Sequence, residues 1–359
     1  MASISERQRK DGSTAYMAQI VIKREGQIVH RENKTFDTKR KATAWAARRE
    51  EELDQPDALA DQDNPKLADV IDQYTTESRK TIGRTKRQVL GTIKKDQLAQ
   101  MRCSRIASKD LIAFANRIGE RAKPQTVSNY LSHLAAVFAI ARPAWGYPLD
   151  QQAMTDAFAV AKRLGVTGKS KERERRPTMQ ELEKLMTHFG KVRARRKDSL
   201  PMQAIIAFAI YSTRRQEEIL RVRWADLDEQ HSRLLVRDMK HPDDKAGNHQ
   251  WLDLTPEALA IIQAQPRTGE RIFPYSTDAV SAAFTRAGKF LEIDDLHFHD
   301  LRHHGISRLF EMGWSIPKVA TVSGHQSWQS LKRYTHIRQS GDCMAGWKWL
   351  DQVTKNPGA

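Results

Sequence analysis

Residues 297–336 hold His297, His299, His303, His304, His325 and His336, half of the chain's 12 histidines. Their centre is the run His299-Asp300-Leu301-Arg302-His303-His304. On a helix, His299 and Arg302 stand one turn apart on one face, where both can address a single phosphate. His325 follows in Ser323-Gly324-His325, and Tyr334 comes nine residues later in Lys332-Arg333-Tyr334-Thr335-His336. Upstream, Arg215 and Glu218 have the spacing that lets a carboxylate hold a guanidinium still, and a fixed guanidinium fork fits two phosphate oxygens. Taken alone, that pair is equally an ordinary helix ion pair. Lys240 lies just past an expected strand, in a stretch where a flexible ammonium can swing to a substrate oxygen, and Lys245 competes with it. Together these residue types suit phosphoryl transfer. A zinc site is the alternative, because His299 and His303 are at i,i+4. It lacks the intervening Glu of H-E-x-x-H and has no cysteine nearby.

The 359 residues carry 60 Lys and Arg against 44 Asp and Glu, a net charge of +16. Such an excess calls for a polyanion, nucleic acid before membrane. No apolar run approaches the ~20 residues of a bilayer span, and the basic N-terminus lacks the apolar stretch of a secretory signal. Cys103 and Cys343 are the only cysteines, too few for a disulfide framework or a Cys-rich zinc site. The expected setting is intracellular: cytoplasmic and nucleoid-associated, with no membrane partner.

Several elements must position these groups. In residues 1–50, 12 Lys and Arg stand against 6 Asp and Glu. Alternation over Tyr16–Ile22 predicts a strand, Glu25-Gly26 a hairpin turn, and Gln27–Arg31 and Lys34–Phe36 two further strands. Thr38 caps a helix through Ala42, Trp45, Ala46 and Arg49. The acidic, proline-containing stretch 51–65 reads as a linker or a frayed helix end. From Lys66 to Leu164 the pattern is helical. The apolar faces are Leu67, Val70, Ile71 and Tyr74, then Leu111, Phe114, Ala115 and Ile118, and then Val127, Tyr130, Leu131, Leu134, Phe138 and Ala141 after Pro124. Lys86, Arg87, Lys94, Lys95, Lys123, Thr126 and Asn129 lie off these stripes, on faces open to phosphate or simply to solvent. Residues 165–176 form a basic linker with Lys169, Lys171, Arg173, Arg175 and Arg176. Thr178 and Glu181 then make a capping box that opens a second domain. Ala204–Tyr211 reads as a buried helix, and Leu234–Arg237 pairs with Trp251–Leu254. The fold class is mainly α with small β elements (α+β). The domains are 1–55, 66–164 and 177–340, with a tail at 341–359.

The ordered set Arg215 with Glu218, Lys240, His299 with Arg302, Gly324-His325 and Tyr334 resembles the tyrosine recombinase (phage integrase) family over residues 178–340. Residues 66–164 resemble the family's core-binding domain more loosely. The first 50 residues are looser still, and resemble the arm-site DNA-binding domain of larger integrases. Thr213 stands where the family usually has Gly, and Ser323 where Leu commonly precedes Gly-His. The stretch after Lys240 departs from the short K-T-G turn, which leaves Lys240 and Lys245 both open.

The resemblance implies site-specific cleavage and rejoining of DNA through a 3′-phosphotyrosyl intermediate, to integrate or excise a mobile element. Tyr334 would be the nucleophile, and Arg215, Arg302 and His325 would bind the non-bridging oxygens. His299 would act as general base and Lys240 as general acid. Neither metal nor ATP is called for, so no cofactor is expected. The implied partners are double-stranded attachment sites, three further protomers in a tetrameric synapse, and accessory DNA-bending or excision factors. The two larger domains would clamp the duplex with the 165–176 linker along it. The tail, with Trp347, Trp349 and Leu350 on one face, would pack on a neighbouring protomer or on its own. Competing functions are a type IB topoisomerase, a dimer-resolving recombinase and a DNA-binding regulator without catalysis.

Overall fold

The computed structural model describes residues 2–8, 14–24, 27–54, 64–170, 173–239 and 247–355. The chain divides into two compact units, Met1–Lys171 and Glu172–Ala359.

In the first unit, β1 (Ala2–Gln8), β2 (Thr14–Arg24) and β3 (Gln27–Phe36) form an antiparallel sheet in sequence order. Helix α1 (Lys39–Asp54) covers one face. Small side chains set that contact: Ala18 on the sheet meets Ala42 and Ala46 on the helix, flanked by Tyr16, Phe36 and Trp45. Two strand expectations change. Residues 2–8 are a strand the sequence reading left out, because Ala2 and Ile4 are its only apolar residues and supply too little alternation to register. The separate strands expected at 27–31 and 34–36 are one, since Glu32 and Asn33 stay in the ladder opposite Ile20 and Gln19. The expected Glu25-Gly26 turn and residues 55–63 of the linker lie outside the described residues.

Five helices follow: α2 (Leu67–Glu77), α3 (Arg84–Ile93), α4 (Ser108–Gly119), α5 (Pro124–Trp145) and α6 (Gln151–Arg163). The apolar stripes read from the sequence face inward here. Leu67, Val70, Ile71, Phe114, Leu131, Leu134 and Phe138 share one core, with Tyr130 packed at its margin. Burial at i, i+3 and i+4 positions is what holds such helices, since isolated segments of this length are marginal in water.

The second unit opens with α7 (Met179–Arg195), capped reciprocally by Thr178 and Glu181 at 3.1 and 2.8 Å. Its axis is α8 (Met202–Ser212), in which every residue is buried. Around it come the short α9 (Gln216–Ile219) and the sheet β4 (Leu227–Asp228), β5 (Arg233–Val236) and β6 (Gln250–Asp253). Then follow α10 (Pro256–Gln263), α11 (Thr277–Phe290), α12 (His299–Glu311), α13 (Ile316–Ser323) and α14 (Lys348–Lys355). Among the described residues, no helix is long and apolar enough to cross a membrane.

The tail, for which packing on a neighbour and packing on its own unit were both open, lies against its own unit in this chain. Trp347, Trp349 and Val353 are buried in the α8 core, and Trp349 Nε1 donates to Glu183 at 2.7 Å. Buried Arg308 of α12 fastens the segment before α14. It bonds both carboxylate oxygens of Asp342 at 2.6 Å and Glu257 at 2.5 Å, over the ring of Tyr211.

Helix α12 reaches α8 because Gly305 has no side chain. A Cβ there would stand 2.0 Å from the Ile210 carbonyl oxygen and 3.1 Å from Thr213 Cγ2. The obstacle is backbone, which cannot rotate away. Gly305→Ala should therefore destabilise the protein by ~1–3 kcal/mol or more, measured by chemical denaturation. A wild-type midpoint would show that the two helices have room to part.

Candidate active site

Helix α8 ends at Thr213, which takes left-handed geometry (φ +56°) although it is β-branched. This explains the family's usual Gly there, since that conformation strains other residues. The turn aims the Thr213 carbonyl at α12, where it accepts from Arg302 Nη1. Arg302 Nη2 donates to the Ser323 carbonyl at 3.0 Å. Two backbone oxygens at the ends of two helices thus fix a guanidinium that is 3 % exposed.

Next in the chain, Arg215 caps α9. Its backbone N–H and its Nη1 donate to the Glu218 carboxylate at 3.0 and 2.6 Å. Glu218 is buried, which works to raise its pKa, but Arg214, Arg302 and Arg215 around it outweigh burial and hold the carboxyl below its ordinary value. Arg214, which the sequence reading passed over, is also buried. Its Nε donates to the Ser212 carbonyl at 3.0 Å, and its Nη1 has no hydrogen-bond partner among the described residues. Burial, with Arg215 and Arg214 nearby, pushes Arg302 down to about 9, so it stays cationic at neutral pH.

Gly324 ends α13 in left-handed geometry (φ +69°) and turns the chain so that His325 faces Arg302. Ser323, the other departure from the family pattern, lies with its Oγ 2.8 Å from His325 Nδ1. If that hydroxyl donates, the opposite ring nitrogen, Nε2, carries the hydrogen and is free to donate. Burial and then Arg302, Arg215 and Arg214 push His325 down to about 3, so the ring is neutral at physiological pH.

Tyr334 sits in a short 3₁₀ turn, Lys332–Tyr334, with its ring buried beside Ile306, Phe310 and Leu331. Phe310 stacks on it, with centroids 6.0 Å apart. Its hydroxyl is hydrogen-bonded to His303 Nδ1. His299, expected to serve this tyrosine, is exposed on the α12 end and meets the His303 ring edge-on at 5.0 Å. Desolvation first, then Arg302 and Arg215, lower its pKa. Among the described residues no group of three His, Cys, Asp or Glu side chains forms a metal site around the His299–His303 pair.

Arg215, His299, Arg302, His303, His325 and Tyr334 line one open cleft of about 630 Å³, together with Gln329, Ser330, Lys332 and Arg333. The cleft gathers guanidinium donors, neutral imidazoles and a phenol, with Glu218 behind them. Such a set can bind a phosphodiester and present a nucleophile to it.

Residues 175–340 match the model of the phage integrase family. This segment is similar to phage integrases. Over 225 residues the chain is 34% identical to the shufflon-specific DNA recombinase of Escherichia coli, covering 62% of this chain. The match takes in 53% of that recombinase, so the chain spans about half its length. Among solved structures, a lambda integrase dimer bound to a COC′ core site aligns with TM-score 0.58 and 20% identity, covering 92% of this chain and 94% of that one. The Tn1549 transposon integrase in complex with transposon right end DNA aligns with TM-score 0.58 and 15% identity, over 75% and 94%. The fold is therefore that of the lambda integrase type.

Other residues expected at the site fall elsewhere. Lys240 and Lys245 lie outside the described residues, as does Lys171. Arg173, Arg175 and Arg176 were expected along DNA, but each is bound to a carboxylate of its own unit. Arg173 holds Asp300 at 2.7 Å and Asp295 at 2.9 Å; Arg175 holds Glu181 at 2.5 Å and Arg176 holds Glu311 at 2.8 Å. The reason is burial of Asp300 and partial burial of Glu181 and Glu311, since a carboxylate out of water needs a partner. In the first unit, Lys94 pairs with Asp72 at 2.5 Å, and Lys86 bonds the Tyr74 hydroxyl and covers its ring. Arg87, Lys95, Lys123, Thr126 and Lys169 are exposed and Asn129 is half-buried.

Sequence reasoning missed His303, Arg214 and the Ser323 hydroxyl. The available signal for His303 is its i+4 spacing from His299, considered only for zinc and set aside there for want of the H-E-x-x-H Glu and a nearby cysteine.

Gly324 gives the site a sharp test. An added Cβ would stand 2.7 Å from Met239 Cε and 3.0 Å from Leu252 Cδ1, in a backbone region that costs an L-residue ~1–2 kcal/mol. Gly324→Ala should lower stability by about that amount and shift His325 from Arg302, read by denaturation and by the His325 NMR signal. Unchanged values for both would refute this account of the turn.

Proposed function

We propose that the chain is a site-specific DNA recombinase that cleaves and rejoins strands through a 3′-phosphotyrosyl intermediate. The carrying observation is the convergence of Arg215, Arg302, His325 and Tyr334 on one cleft inside the phage integrase segment. Tyr334 is the nucleophile. Its hydroxyl oxygen attacks phosphorus, and charge builds on the non-bridging oxygens as the bond to the 5′-oxygen breaks. Arg215 and Arg302 hold those oxygens as fixed donors: Glu218 orients the first, and two backbone carbonyls orient the second. His325 is the third donor, oriented by Ser323. Lys240 is assigned the protonation of the leaving 5′-oxygen, with Lys245 as its competitor. Conserving the bond as a phosphotyrosine lets the freed 5′-hydroxyl of a second strand reverse the step.

The substrates assigned are double-stranded attachment sites. The exposed cations Arg87, Lys95, Lys123 and Lys169 give a salt-dependent hold on phosphate. A tetrameric synapse, as in the lambda integrase tetramer bound to a Holliday junction, is the proposed working assembly, with accessory DNA-bending or excision factors as further partners. The division of labour proposed is an arm-site-like domain at 1–55, a core-binding domain at 66–164 and a catalytic domain at 177–340. The same chemistry integrates or excises DNA according to how the two sites are placed.

A nicked suicide duplex carrying the attachment site should yield a covalent protein–DNA adduct that survives SDS and is absent from Tyr334→Phe. Adduct formation by the Phe variant, or none by the wild type on its own site, would sink the mechanism. Relaxation of plasmid lacking any such site would favour the topoisomerase alternative.

A further inference from the structure

We propose that His303, rather than His299, is the base that removes the Tyr334 proton when the hydroxyl attacks DNA, an inference that rests on the recombinase reading above. The geometry is direct. His303 follows Arg302 on α12, and its Nδ1 is hydrogen-bonded to the Tyr334 hydroxyl across 31 positions of chain. The rings stand 6.1 Å apart and tilted by 35°. Phe310, stacked on the tyrosine, and Leu331 and Ile306 beside it hold the phenol where this bond is made. His299 lies one turn back on α12, against the edge of the His303 ring.

The charges around the pair suit a proton acceptor. His303 is faced by His299, Asp300 and Arg302 from its own helix, and by Arg333 and Tyr334 from the 3₁₀ turn. Burial first, then His299 and Arg333, push it down to about 4. The ring is thus neutral at physiological pH. With its hydrogen on Nε2, the Nδ1 lone pair is available to the phenol. A ring this weakly basic gains strength when a phosphodiester enters, because an added negative charge raises an imidazole pKa. The Tyr334 O–H bond then breaks as the O–P bond forms, with the proton passing to His303 Nδ1. The bond from phosphorus to the 5′-oxygen breaks, and that oxygen takes its proton from the general acid. In rejoining, the His303 imidazolium returns its proton to the departing tyrosine oxygen.

Single-turnover cleavage of the nicked suicide duplex tests this between pH 6 and 9, with wild type, His303→Ala and His303→Gln. Losing a general base should slow cleavage by roughly 10²–10⁴-fold. In the variants the residual rate should climb about tenfold per pH unit, because the phenol must then ionise unaided. Free imidazole should restore His303→Ala and leave Tyr334→Phe inert. A His303→Ala enzyme at the wild-type rate, or one slowed with an unchanged pH profile and no imidazole rescue, overturns the proposal. A second measurement needs no DNA: in protein labelled with ¹⁵N-histidine, His303 Nδ1 should resonate as an unprotonated acceptor and shift in Tyr334→Phe. A protonated Nδ1 at pH 7 overturns the proposal independently. Failure of the wild type to form any adduct falls instead on the recombinase reading, so the two failures are distinguishable.

Discussion

Everything in the cleft depends on one buried carboxylate among three guanidiniums. Glu218 lies within the electrostatic reach of Arg214, Arg215 and Arg302, and it bonds Arg215 directly. The three cations repel one another, and two of them are almost wholly removed from water. A single negative charge cannot neutralise three. What remains is an excess of positive charge, held rigidly by backbone carbonyls of Thr213 and Ser323 and aimed at the cleft. Burial first, and then Arg215 and Arg214, depress the Arg302 pKa, and the site is left short of negative charge. In the proposed function, a phosphodiester would supply it, and a transition state bearing more charge on its oxygens would supply it better.

That arrangement needs helices that cannot drift. Close approach of Gly305 to the Ile210 carbonyl sets the distance between α8 and α12, and with it the spacing of the Thr213 turn from His299, Arg302 and His303. Tyr334 and His325 come from short connections instead, but a small apolar cluster of Ile306, Phe310, Val319, Val322 and Leu331 anchors both to the same helix. The entering chain is part of the frame as well. The Arg173 guanidinium grips Asp300 beside His299, while its carbonyl accepts from Arg333 beside Tyr334. The segment leading into the domain therefore touches both sides of the cleft.

The net charge of +16 is unevenly disposed once contacts are known. Arg173, Arg175, Arg176 and Arg308 are bound to internal carboxylates and serve the fold. Arg215 and Arg302 face the cleft. Arg87, Lys95, Lys123 and Lys169 stay exposed on the first unit, where screening by salt acts fully.

Much of this was legible in the chain. Helical stripes such as Leu67, Val70, Ile71 and Tyr74 specify their own inward face, because the 3.6-residue period is local. The capping box at Thr178 and Glu181 and the Arg215–Glu218 pair are local in the same way, closed within one helical turn. The order of Arg215, His299 with Arg302, His325 and Tyr334 showed which chemistry to expect, since residue types carry their own reactivity. Strand 2–8 escaped because its stabilisation lies in the ladder to β2 and not in its own pattern. The linker arginines looked free because nothing local reveals that Asp300, more than a hundred residues on, would be buried and in need of a partner. The spacing of His303 from His299 hints at nothing but a disfavoured metal pair, whereas in the fold the His303 ring also meets a phenol from another turn. Sequence by itself determined the local periods and the reactive groups; tertiary packing alone decided which group meets which. Hydrogen bonds and ion pairs act over a few ångströms of space, and only the folded core brings distant parts of the chain that close.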